Sequence, residues 1–491
     1  MDLSAELEAC LAEFTAAGAV ELRENGGRLT PFAGASWEVR GAAEKPLLHV
    51  WSDSCNLTRR VLAITDHSDE RLALAVERFG RVRPGRLEFV RVEFERSARQ
   101  LSREAFCDLF GRLLAERFPD ETVESLTAAP DLEHSLSGNY VRGLLRRGSE
   151  RIAVLGVPDG ESADTVEGSL TFALLWLAKA QNGSRGAVTS LRLILPKGSM
   201  SHLAHRAAAL RPTLAIEFYE RDGTRETLEA VDRCQAGNQK SWLVPHREMQ
   251  ALLDRAREAI RPVVELAPRA IALHPVVASR EVWLRFRGLP FARWEDGRIF
   301  FGWPDTRAEL TPVALPGLRN LLQSLETHRH PLASDARHPL YRAQPERWLE
   351  ALVREDVTRV DATLDPRFAY SQVFANLAGE HGILDLLALT RSGRLVILEL
   401  KANEHIHLPL QAAGYWTQIR RHLEQDDFAR YGYFPGVKLQ NAAPLVYLVA
   451  PALRFHPSTD ALLRALTSEL ETARIGLSEN WRRGLRVVMR Q

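Results

Sequence analysis

The stretch GILDLLALTRSGRLVILELKANEHIHLPLQAAGYW, residues 382–416, carries the clearest structural pattern in the chain. Two apolar runs, residues 383–390 and 394–401, have the length and composition of buried strands, and Arg391-Ser392-Gly393 separates them. A three-residue loop that ends in glycine favours a β-hairpin, because glycine accepts the left-handed backbone conformation that such a loop needs. The stretch therefore predicts an antiparallel hairpin that is buried on both faces.

The register of this hairpin predicts which side chains share a face. If residue 390 pairs with residue 394, Asp385 lies opposite Glu399, with β-carbons about 5 Å apart. Lys401 follows Glu399 by two residues and therefore points to the same face. Two facing carboxylates repel each other unless a cation joins them, and Mg²⁺ accepts one or two carboxylates together with water and phosphate oxygens. The pattern favours phosphodiester hydrolysis, with Asp385 and Glu399 as metal ligands and Lys401 beside the attacking water.

A half-exposed hairpin whose charged residues only face water is the alternative interpretation. The neighbouring residues argue against it, because ILDLLAL and LVILEL are apolar on both faces of the predicted strands. Carboxylates buried there without a partner would be costly. A catalytic or metal-binding role explains why they are present.

The order of these residues resembles the PD-(D/E)xK nuclease superfamily, whose signature is an Asp at a strand start, a hairpin, Glu-x-Lys and then a helix. The resemblance covers about residues 346–425 and implies a restriction-endonuclease-like fold, with a mixed central sheet flanked by helices. Many members, including archaeal Holliday-junction resolvases and mismatch endonucleases, carry a Gln and a Tyr on that helix, as Gln411 and Tyr415 do here. Members also place a Glu on the first helix of the domain, and Glu350 is our choice within PERWLEALVRED. The resemblance implies catalytic roles for Gln411 and Glu350 and a nucleic-acid contact for Tyr415.

Further residues are candidates for contact with nucleic acid. Gln372 stands near the end of a predicted strand, and His407 lies between Lys401 and the following helix. Hard cations rarely use histidine, so we expect His407 to contact phosphate or to shape the helix entry rather than to bind metal. Arg482 and Arg483 belong to the basic C-terminal stretch, where contact with a phosphate backbone and a merely solvated surface are equal alternatives.

Composition describes an ordinary globular protein. The 64 basic and 63 acidic side chains give a net charge of +1, which counts mildly against a large, permanently bound duplex. The four cysteines form no CxxC pair, which argues against a zinc ribbon and a disulfide framework. The acidic N-terminus and the lack of an apolar run of about 18 residues predict a cytoplasmic protein that does not engage membranes.

The alternation of strands and helices predicts a multidomain protein of the α/β class. We expect four parts: a small α/β domain at 1–95 that includes a helix at 69–80, a middle α/β domain at 96–270, a strand-rich connector and linker at 271–344, and the nuclease domain at 345–491. The middle domain is either a generic α/β domain or a degenerate copy of the nuclease fold. In the second case, Gly156 and Val157 stand where the catalytic Glu and Lys are expected.

The leading functional hypothesis is a Mg²⁺-dependent endonuclease that acts on DNA, in repair or in defence against foreign DNA, with Mn²⁺ able to substitute. One alternative is a catalytically silent nucleic-acid-binding or scaffold protein of the same fold. Another is a nuclease effector whose N-terminal domains sense a ligand or a partner protein. The sequence is compatible with a homodimer, and no residue in it separates DNA from RNA as the substrate.

Overall fold

The protein is described here from a computed structural model of the 491-residue chain. The description covers all residues except 1–2, 17–19, 25–26, 32–35, 41–45, 52–55, 69, 78–84, 184–186, 224, 234–240, 304–306, 372 and 375–383. The chain divides into two compact units, residues 1–105 and 106–491. Their mixture of helices and several separate sheets confirms the α/β, multidomain class. Within the described ranges, no helix combines the length and the apolar composition that crossing a bilayer requires.

The described part of the first unit contains an N-terminal helix, the first part of a long helix and a seven-stranded sheet. Its elements are α1 (Leu3–Ala16), β1 (Val20–Glu24), β2 (Gly27–Pro31), β3 (Ser36–Arg40), β4 (Leu47–Trp51), β5 (Asn56–His67), β6 (Arg71–Val76) and β7 (Gly85–Arg91). The strand order is β2-β1-β7-β6-β5-β4-β3, with antiparallel neighbours. Leu7, Leu11 and Phe14 repeat at helical spacing along α1, and all three are buried in the core of this unit.

The prediction of a helix over residues 69–80 is wrong. Residues 71–76 form strand β6 between β5 and β7, and residues 78–80 lie outside the described part of the chain. Leu72, Leu74 and Val76 repeat with a period of two, and all three are fully buried. The alanines at 73 and 75 favour a helix by propensity, but pairing with two neighbouring strands decides the structure.

The second unit begins within a long helix and continues into a six-stranded mixed sheet. Its first elements are α2 (Val92–Arg117), β8 (Thr122–Thr127), β9 (Val141–Arg147), β10 (Glu150–Gly156), α3 (Ala163–Gly183), β11 (Val188–Pro196), α4 (Met200–Ala208), β12 (Ile216–Asp222) and β13 (Thr227–Val231). The sheet order is β13-β12-β11-β10-β9-β8, and β11 lies parallel to both of its neighbours. The boundary between the units falls at residue 105, inside α2, whereas the sequence pattern places it at 95.

An antiparallel five-stranded sheet follows, with its own apolar core. Its elements are α5 (His246–Val264), β14 (Ile271–Val276), β15 (Glu281–Phe286), β16 (Leu289–Glu295), β17 (Arg298–Phe301), β18 (Ala308–Glu309), α6 (Leu315–His328) and α7 (Pro339–Arg342). The strands run in chain order across the sheet. Apolar side chains of α5, β15, β16 and α6 fill one core, so this part packs as a layer of helices on a sheet.

The C-terminal part of the second unit holds a second six-stranded mixed sheet. Its elements are α8 (Pro345–Glu355), β19 (Leu364–Tyr370), β20 (Leu386–Thr390), β21 (Leu395–Leu400), α9 (Leu408–Glu424), α10 (Asp427–Tyr431), β22 (Leu445–Pro451), α11 (Thr459–Leu463), β23 (Thr472–Leu477) and β24 (Val487–Arg490). The sheet order is β19-β20-β21-β22-β23-β24. Both apolar runs of the predicted hairpin are therefore strands of a mixed sheet, as expected.

The two six-stranded sheets share one topology. In each, the six strands lie in chain order, the third and fourth pair parallel, as do the fourth and fifth, and the remaining pairs are antiparallel. α3 and α9 occupy the same connection, between the third and fourth strands. Equivalent turns also meet each other, since the Arg211 N–H donates to the Ala465 carbonyl (3.0 Å) and the Thr467 N–H donates to the Ala209 carbonyl (2.9 Å). The parts of the second unit that contain the two six-stranded sheets thus contact each other reciprocally, through an approximately twofold arrangement.

Candidate active site

The hairpin β20–β21 has the register that the sequence predicts. Leu386 pairs with Leu398 and Leu389 pairs with Leu395, without a bulge. The Thr390 N–H donates to the Arg394 carbonyl at 2.8 Å, and Gly393 in the loop has φ +92°. Extending this register by one residue places Asp385, directly before β20, opposite Glu399.

Asp385, Glu399 and Lys401 form a buried charged cluster at one end of this hairpin, called here the carboxylate centre. Their residues are 9%, 2% and 8% exposed. The Leu400 N–H donates to Asp385 Oδ2 at 2.9 Å, and Lys401 Nζ donates to Glu399 Oε1 at 3.1 Å. Glu399 Oε2 is buried and has no hydrogen-bond partner among the described residues. An anionic oxygen in this situation is costly and is expected to meet a cation.

The pKa values of Asp385 and Glu399 show that the carboxylate centre has too little positive charge for its two acids. Burial, followed by repulsion from Glu399, raises the pKa of Asp385 well above 3.8. Burial also raises the pKa of Glu399, although the adjacent Lys401 opposes the change. Burial alone would lower the pKa of Lys401, but Glu399 and Asp385 outweigh it and raise the pKa, so this side chain stays protonated at neutral pH. One ammonium group does not balance two facing carboxylates.

Asp361, a buried carboxylate in the same part of the chain, shows the opposite behaviour. It accepts hydrogen bonds from the Tyr447 hydroxyl (2.6 Å), the Arg490 guanidinium (2.7 Å) and the backbone N–H and hydroxyl of Thr363 (2.8 Å each). Burial raises its pKa, but these donors outweigh burial and lower the pKa to about 2. Asp361 is therefore a satisfied structural carboxylate, whereas the carboxylate centre is under-neutralised.

Helix α8 brings Glu350 and Arg347 to the carboxylate centre. Glu350, chosen from the sequence, is 4% exposed and accepts a hydrogen bond from Arg347 Nη1 at 2.7 Å. The same nitrogen lies 3.7 Å from Asp385 Oδ1, so one guanidinium bridges the two acids. Arg347 is not a candidate in the sequence, although its position three residues before Glu350 is a signal for an ion pair on one helix face.

Helix α9 places Gln411 and Tyr415 beside the same centre. Both line the cavity that contains Asp385 and Glu399. Gln411 Oε1 is buried without a hydrogen-bond partner among the described residues. Burial raises the pKa of Tyr415 well above 10, and the charges of Glu399 and Asp385 add to the rise, so both acids lie within electrostatic reach of its hydroxyl. The structure thus brings both helix residues to the site.

His407 lies at the start of α9 and makes a contact between the two halves of the unit. Its Nδ1 is 2.8 Å from the Thr171 hydroxyl of α3, and its ring packs edge-on against Phe172 at 5.5 Å between centroids. Burial, with smaller contributions from neighbouring cations, lowers its pKa to about 4, so the ring is neutral at pH 7. Although His407 also lines the cavity, its contacts fit a residue that shapes the helix entry.

The carboxylate centre opens into a cavity of about 1340 Å³ within the second unit. Its lining includes residues of the hairpin with α8 and α9, of the start of α3 with Arg206 of α4, of the start of α5, and of strand β15. Arg206 donates to Glu167 Oε2 at 2.7 Å, which fixes the wall formed by the first six-stranded sheet and its helices. The acids are thus buried but reachable from a concave space, as in most small-molecule and substrate sites.

Other residues chosen from the sequence lie away from the centre. Arg482 sits among aromatic rings, 4.3 Å from the centroid of Trp481 and about equally near Tyr341 and Trp348, and Arg483 is exposed. Neither arginine lines the cavity. Stacking on three rings makes Arg482 a packing residue. Gln372 lies outside the described residues.

Among its described residues, the first six-stranded sheet carries no equivalent of the carboxylate centre. The Val157 N–H donates to the Ile194 carbonyl of the neighbouring parallel strand (3.0 Å), and the Lys401 N–H donates in the same way to the Val449 carbonyl (2.9 Å). Val157 and Lys401 therefore occupy corresponding positions in the two sheets. Leu155, not Gly156, therefore stands in the place of Glu399, and the expected alignment was wrong by one residue at that position. The residue that pairs with Leu155 is Arg142, where the second sheet has Asp385. These three side chains offer no carboxylate to a cation.

No protein-family model matches the chain, and no curated protein matches it. The functional argument therefore depends on the geometry of the site. No group of three or more His, Cys, Asp or Glu side chains within the described ranges is arranged to hold a metal ion. The facing carboxylates of Asp385 and Glu399 still fit Mg²⁺, because this ion takes one or two protein carboxylates and completes its shell with water and phosphate oxygens.

Proposed function

We propose that the protein is a Mg²⁺-dependent endonuclease that hydrolyses phosphodiester bonds of DNA, and that residues 345–491 adopt a PD-(D/E)xK nuclease fold. The observation that carries the proposal is the under-neutralised pair Asp385 and Glu399. Burying two facing carboxylates destabilises the protein, and Asp361 demonstrates that this chain can satisfy a buried carboxylate fully where only structure is needed. Such a destabilising arrangement is typical of a functional centre.

Asp385 and Glu399 would hold the cation, with Glu399 Oε2 as an oxygen that lacks a partner among the described residues. When bound, Mg²⁺ polarises the phosphate and lowers the pKa of the attacking water. Mn²⁺ has the same preference for carboxylate and water ligands and is expected to substitute. His407 is not among the proposed ligands, because hard cations rarely use histidine and its Nδ1 lies 2.8 Å from the Thr171 hydroxyl.

Lys401 and Gln411 supply the chemistry that remains. The protonated Lys401 ammonium stabilises negative charge on the phosphate as the water oxygen bonds to phosphorus and the bond to the leaving oxygen breaks. The attacking water releases its proton to solvent in the cavity, and the leaving oxygen takes one up from solvent. Gln411 Oε1 faces the same cavity and can accept a hydrogen bond from the water, which orients its lone pair. Arg347, already shared between Glu350 and Asp385, stands where it can pair with a phosphate oxygen once a cation neutralises Asp385.

The topology of the second unit also supports the proposal. A hairpin joined through a helix to a parallel strand, with a further helix before the sheet, is the arrangement that the PD-(D/E)xK resemblance implies. We propose that the first six-stranded sheet is a degenerate copy of this domain, because it repeats the topology but has Arg142, Leu155 and Val157 at the key positions. Its helices α3 and α4 contribute wall residues and the second sheet contributes the centre.

Cleavage assays on the full-length protein test this function. Supercoiled plasmid, circular single-stranded DNA and RNA are each incubated with the protein in Mg²⁺, in Mn²⁺ and in EDTA. We expect DNA cleavage with either metal, none in EDTA, and none from Glu350→Gln if Glu350 serves the centre. Glu355→Gln is the matched control, because Glu355 is exposed on the same helix, whereas Glu350 is buried and paired with Arg347. Cleavage in EDTA at the rate seen with Mg²⁺ would exclude the metal mechanism.

A further inference from the structure

Strand β15 presents one face to the core and the other to the cavity. Glu281, Trp283 and Arg285 alternate along EVWLRF, and all three line the cavity that holds the carboxylate centre. The side chains between and beyond them are fully buried in the core: Val282, Leu284 and Phe286. We call the three cavity residues the β15 wall. A tryptophan here is not needed to fill the core, so its placement on the wall calls for another explanation.

The indole of Trp283 is held in a fixed orientation. Its Nε1–H donates to Glu281 Oε2 at 2.9 Å, and Glu281 also accepts from the Ser279 hydroxyl (3.1 Å) and from Arg293 Nη1 (2.8 Å). The guanidinium of Arg307 lies over the ring, 4.9 Å from its centroid. A ring positioned by a buried, fully bonded carboxylate is a preorganised stacking surface, because little side-chain freedom is lost when a ligand binds.

Arg285 connects the β15 wall with the catalytic helix α8. Burial lowers its pKa to about 10, and the charge of Glu350 opposes the change, so Arg285 is a cation at neutral pH that lies near Glu350. Its Nε has no hydrogen-bond partner among the described residues. Arg285 lines the same cavity as Asp385 and Glu399, and a guanidinium there fits an oxygen acceptor on the substrate, of which a phosphate provides several.

The charge of the cavity wall favours base recognition over tracking of a phosphate backbone. Seven acidic and five basic side chains line the cavity, so it is not the strongly basic groove that nonspecific duplex binding requires. Arg206 and Arg347 are already paired with Glu167 and Glu350. Binding must therefore draw on contacts other than phosphate charge, and stacking of an unpaired base on an aromatic ring supplies about 1–3 kcal/mol for each base.

We propose that the β15 wall binds an unpaired nucleotide beside the scissile bond, which makes single-stranded DNA, or an unpaired region of DNA, the substrate of this centre. Trp283 stacks on the base and Arg285 contacts a phosphate oxygen. The proposal depends on the proposed function for the reaction, but the binding step is measurable without cleavage. A paired duplex cannot offer a base to Trp283 unless the base leaves the stack.

Fluorescence anisotropy of the full-length protein in EDTA tests the binding step. The probes are a fluorescein-labelled oligodeoxythymidine and the duplex formed with its complement. We expect tighter binding of the single strand, a roughly tenfold or greater loss with Trp283→Ala, and near-normal binding with Trp283→Phe, which keeps a stacking ring. Trp242→Ala is the matched control, because Trp242 is half exposed and does not line the cavity.

Each outcome supports or overturns the proposal. Equal affinity for the single strand and the duplex in the wild-type protein would overturn it without any variant. Folded Trp283→Ala protein that binds the single strand within twofold of wild type would also overturn it, and cleavage could then still proceed on another substrate. Single-strand binding that depends on Trp283, together with no cleavage in Mg²⁺, would retain the β15 wall and refute the nuclease proposal.

Discussion

Neutralising one member of the carboxylate centre is expected to stabilise the metal-free protein while abolishing its activity. The changes are Asp385→Asn and Glu399→Gln, which keep shape and remove charge. In the folded protein the pKa of Asp385 is raised above 3.8 by burial and by Glu399, so the folded state retains a proton that the unfolded state has released. Stability of the metal-free wild type therefore falls as the pH rises from 3.8 through the folded pKa of Asp385. Asp385→Asn removes this contribution, and Glu399→Gln reduces it, because the burial of Asp385 remains.

The size of the effect follows from the geometry. Two unit charges about 5 Å apart, the spacing of facing positions, interact with roughly 3 kcal/mol at an effective dielectric constant of about 20. Lys401 at 3.1 Å from Glu399 and Arg347 at 3.7 Å from Asp385 offset part of this repulsion. We therefore expect either variant to raise the free energy of unfolding by about 1–2 kcal/mol in EDTA, an order-of-magnitude figure. For a unit of about 390 residues, that is a Tm increase of roughly 1–3 °C.

Thermal unfolding with and without Mg²⁺ measures both consequences. Mg²⁺ at about one hundred times its Kd would add about 2.7 kcal/mol to the wild type, roughly 3 °C, and should add nothing to either variant. Asp361→Asn is the contrasting control: its carboxylate has a lowered pKa, so its loss should destabilise the protein by about 1–2 kcal/mol and leave the Mg²⁺ shift intact. A large drop in Tm for Asp385→Asn in EDTA would refute the reasoning, because it would identify Asp385 as a structural ion-pair partner.

Two further predictions address the chemistry and the positioning of the centre. Lys401→Ala should leave the Mg²⁺ shift in Tm near wild type but slow single-turnover cleavage by about a hundredfold or more. Lys401→Arg should restore little of the cleavage rate, because the guanidinium is planar and bulkier than the ammonium group. Near-normal cleavage by the Arg variant would remove Lys401 from the catalytic residues. Gly288→Ala, in the β15–β16 turn, should lower both Tm and the cleavage rate. Gly288 has φ +82°, and the added β-carbon would lie 2.0 Å from the Arg347 carbonyl oxygen. This clash would displace α8. Gly297→Ala, with the same φ and nothing within 4 Å, costs only backbone strain of about 1–2 kcal/mol, so equal effects of the two changes on cleavage would show that the contact with α8 does not matter.

The hairpin β20–β21 could be predicted from sequence because its determinants are local. The loop glycine, the apolar runs and the turn length together set the register, and Asp385 and Glu399 face each other through that register alone. The same local logic brings Gln411 and Tyr415 to one face of α9, directly after the strand. In each case fewer than about twenty residues separate the partners, so side-chain periodicity carries the information.

The remainder of the site depends on contacts between distant segments, which periodicity does not encode. Trp283 and Arg285 lie about a hundred residues before the hairpin, and EVWLRF reads equally well as a strand with one solvated face. The buried partners of Arg482 could not be foreseen either, since a C-terminal arginine gives no sign that aromatic rings will cover it. The predicted helix at 69–80 failed for the same reason: the packing of neighbouring strands outweighed the local propensity of alanine.

The repeated topology explains how a single carboxylate centre can lie in a cavity that both halves of the second unit build. A single six-stranded sheet with its helices would leave the face of α9 opposite the sheet exposed. In this chain α4 covers that face, and Gly414 of α9 lies close to Arg206, where an added β-carbon would stand 3.2 Å from the arginine side chain. At the positions of Asp385 and Glu399 the first six-stranded sheet has Arg142 and Leu155, so it is free of the repulsion between carboxylates and can act as a stable support. Asp385 and Glu399 therefore lie in one half of the pair, and the other half contributes Arg206 to the cavity and contacts His407 through Thr171.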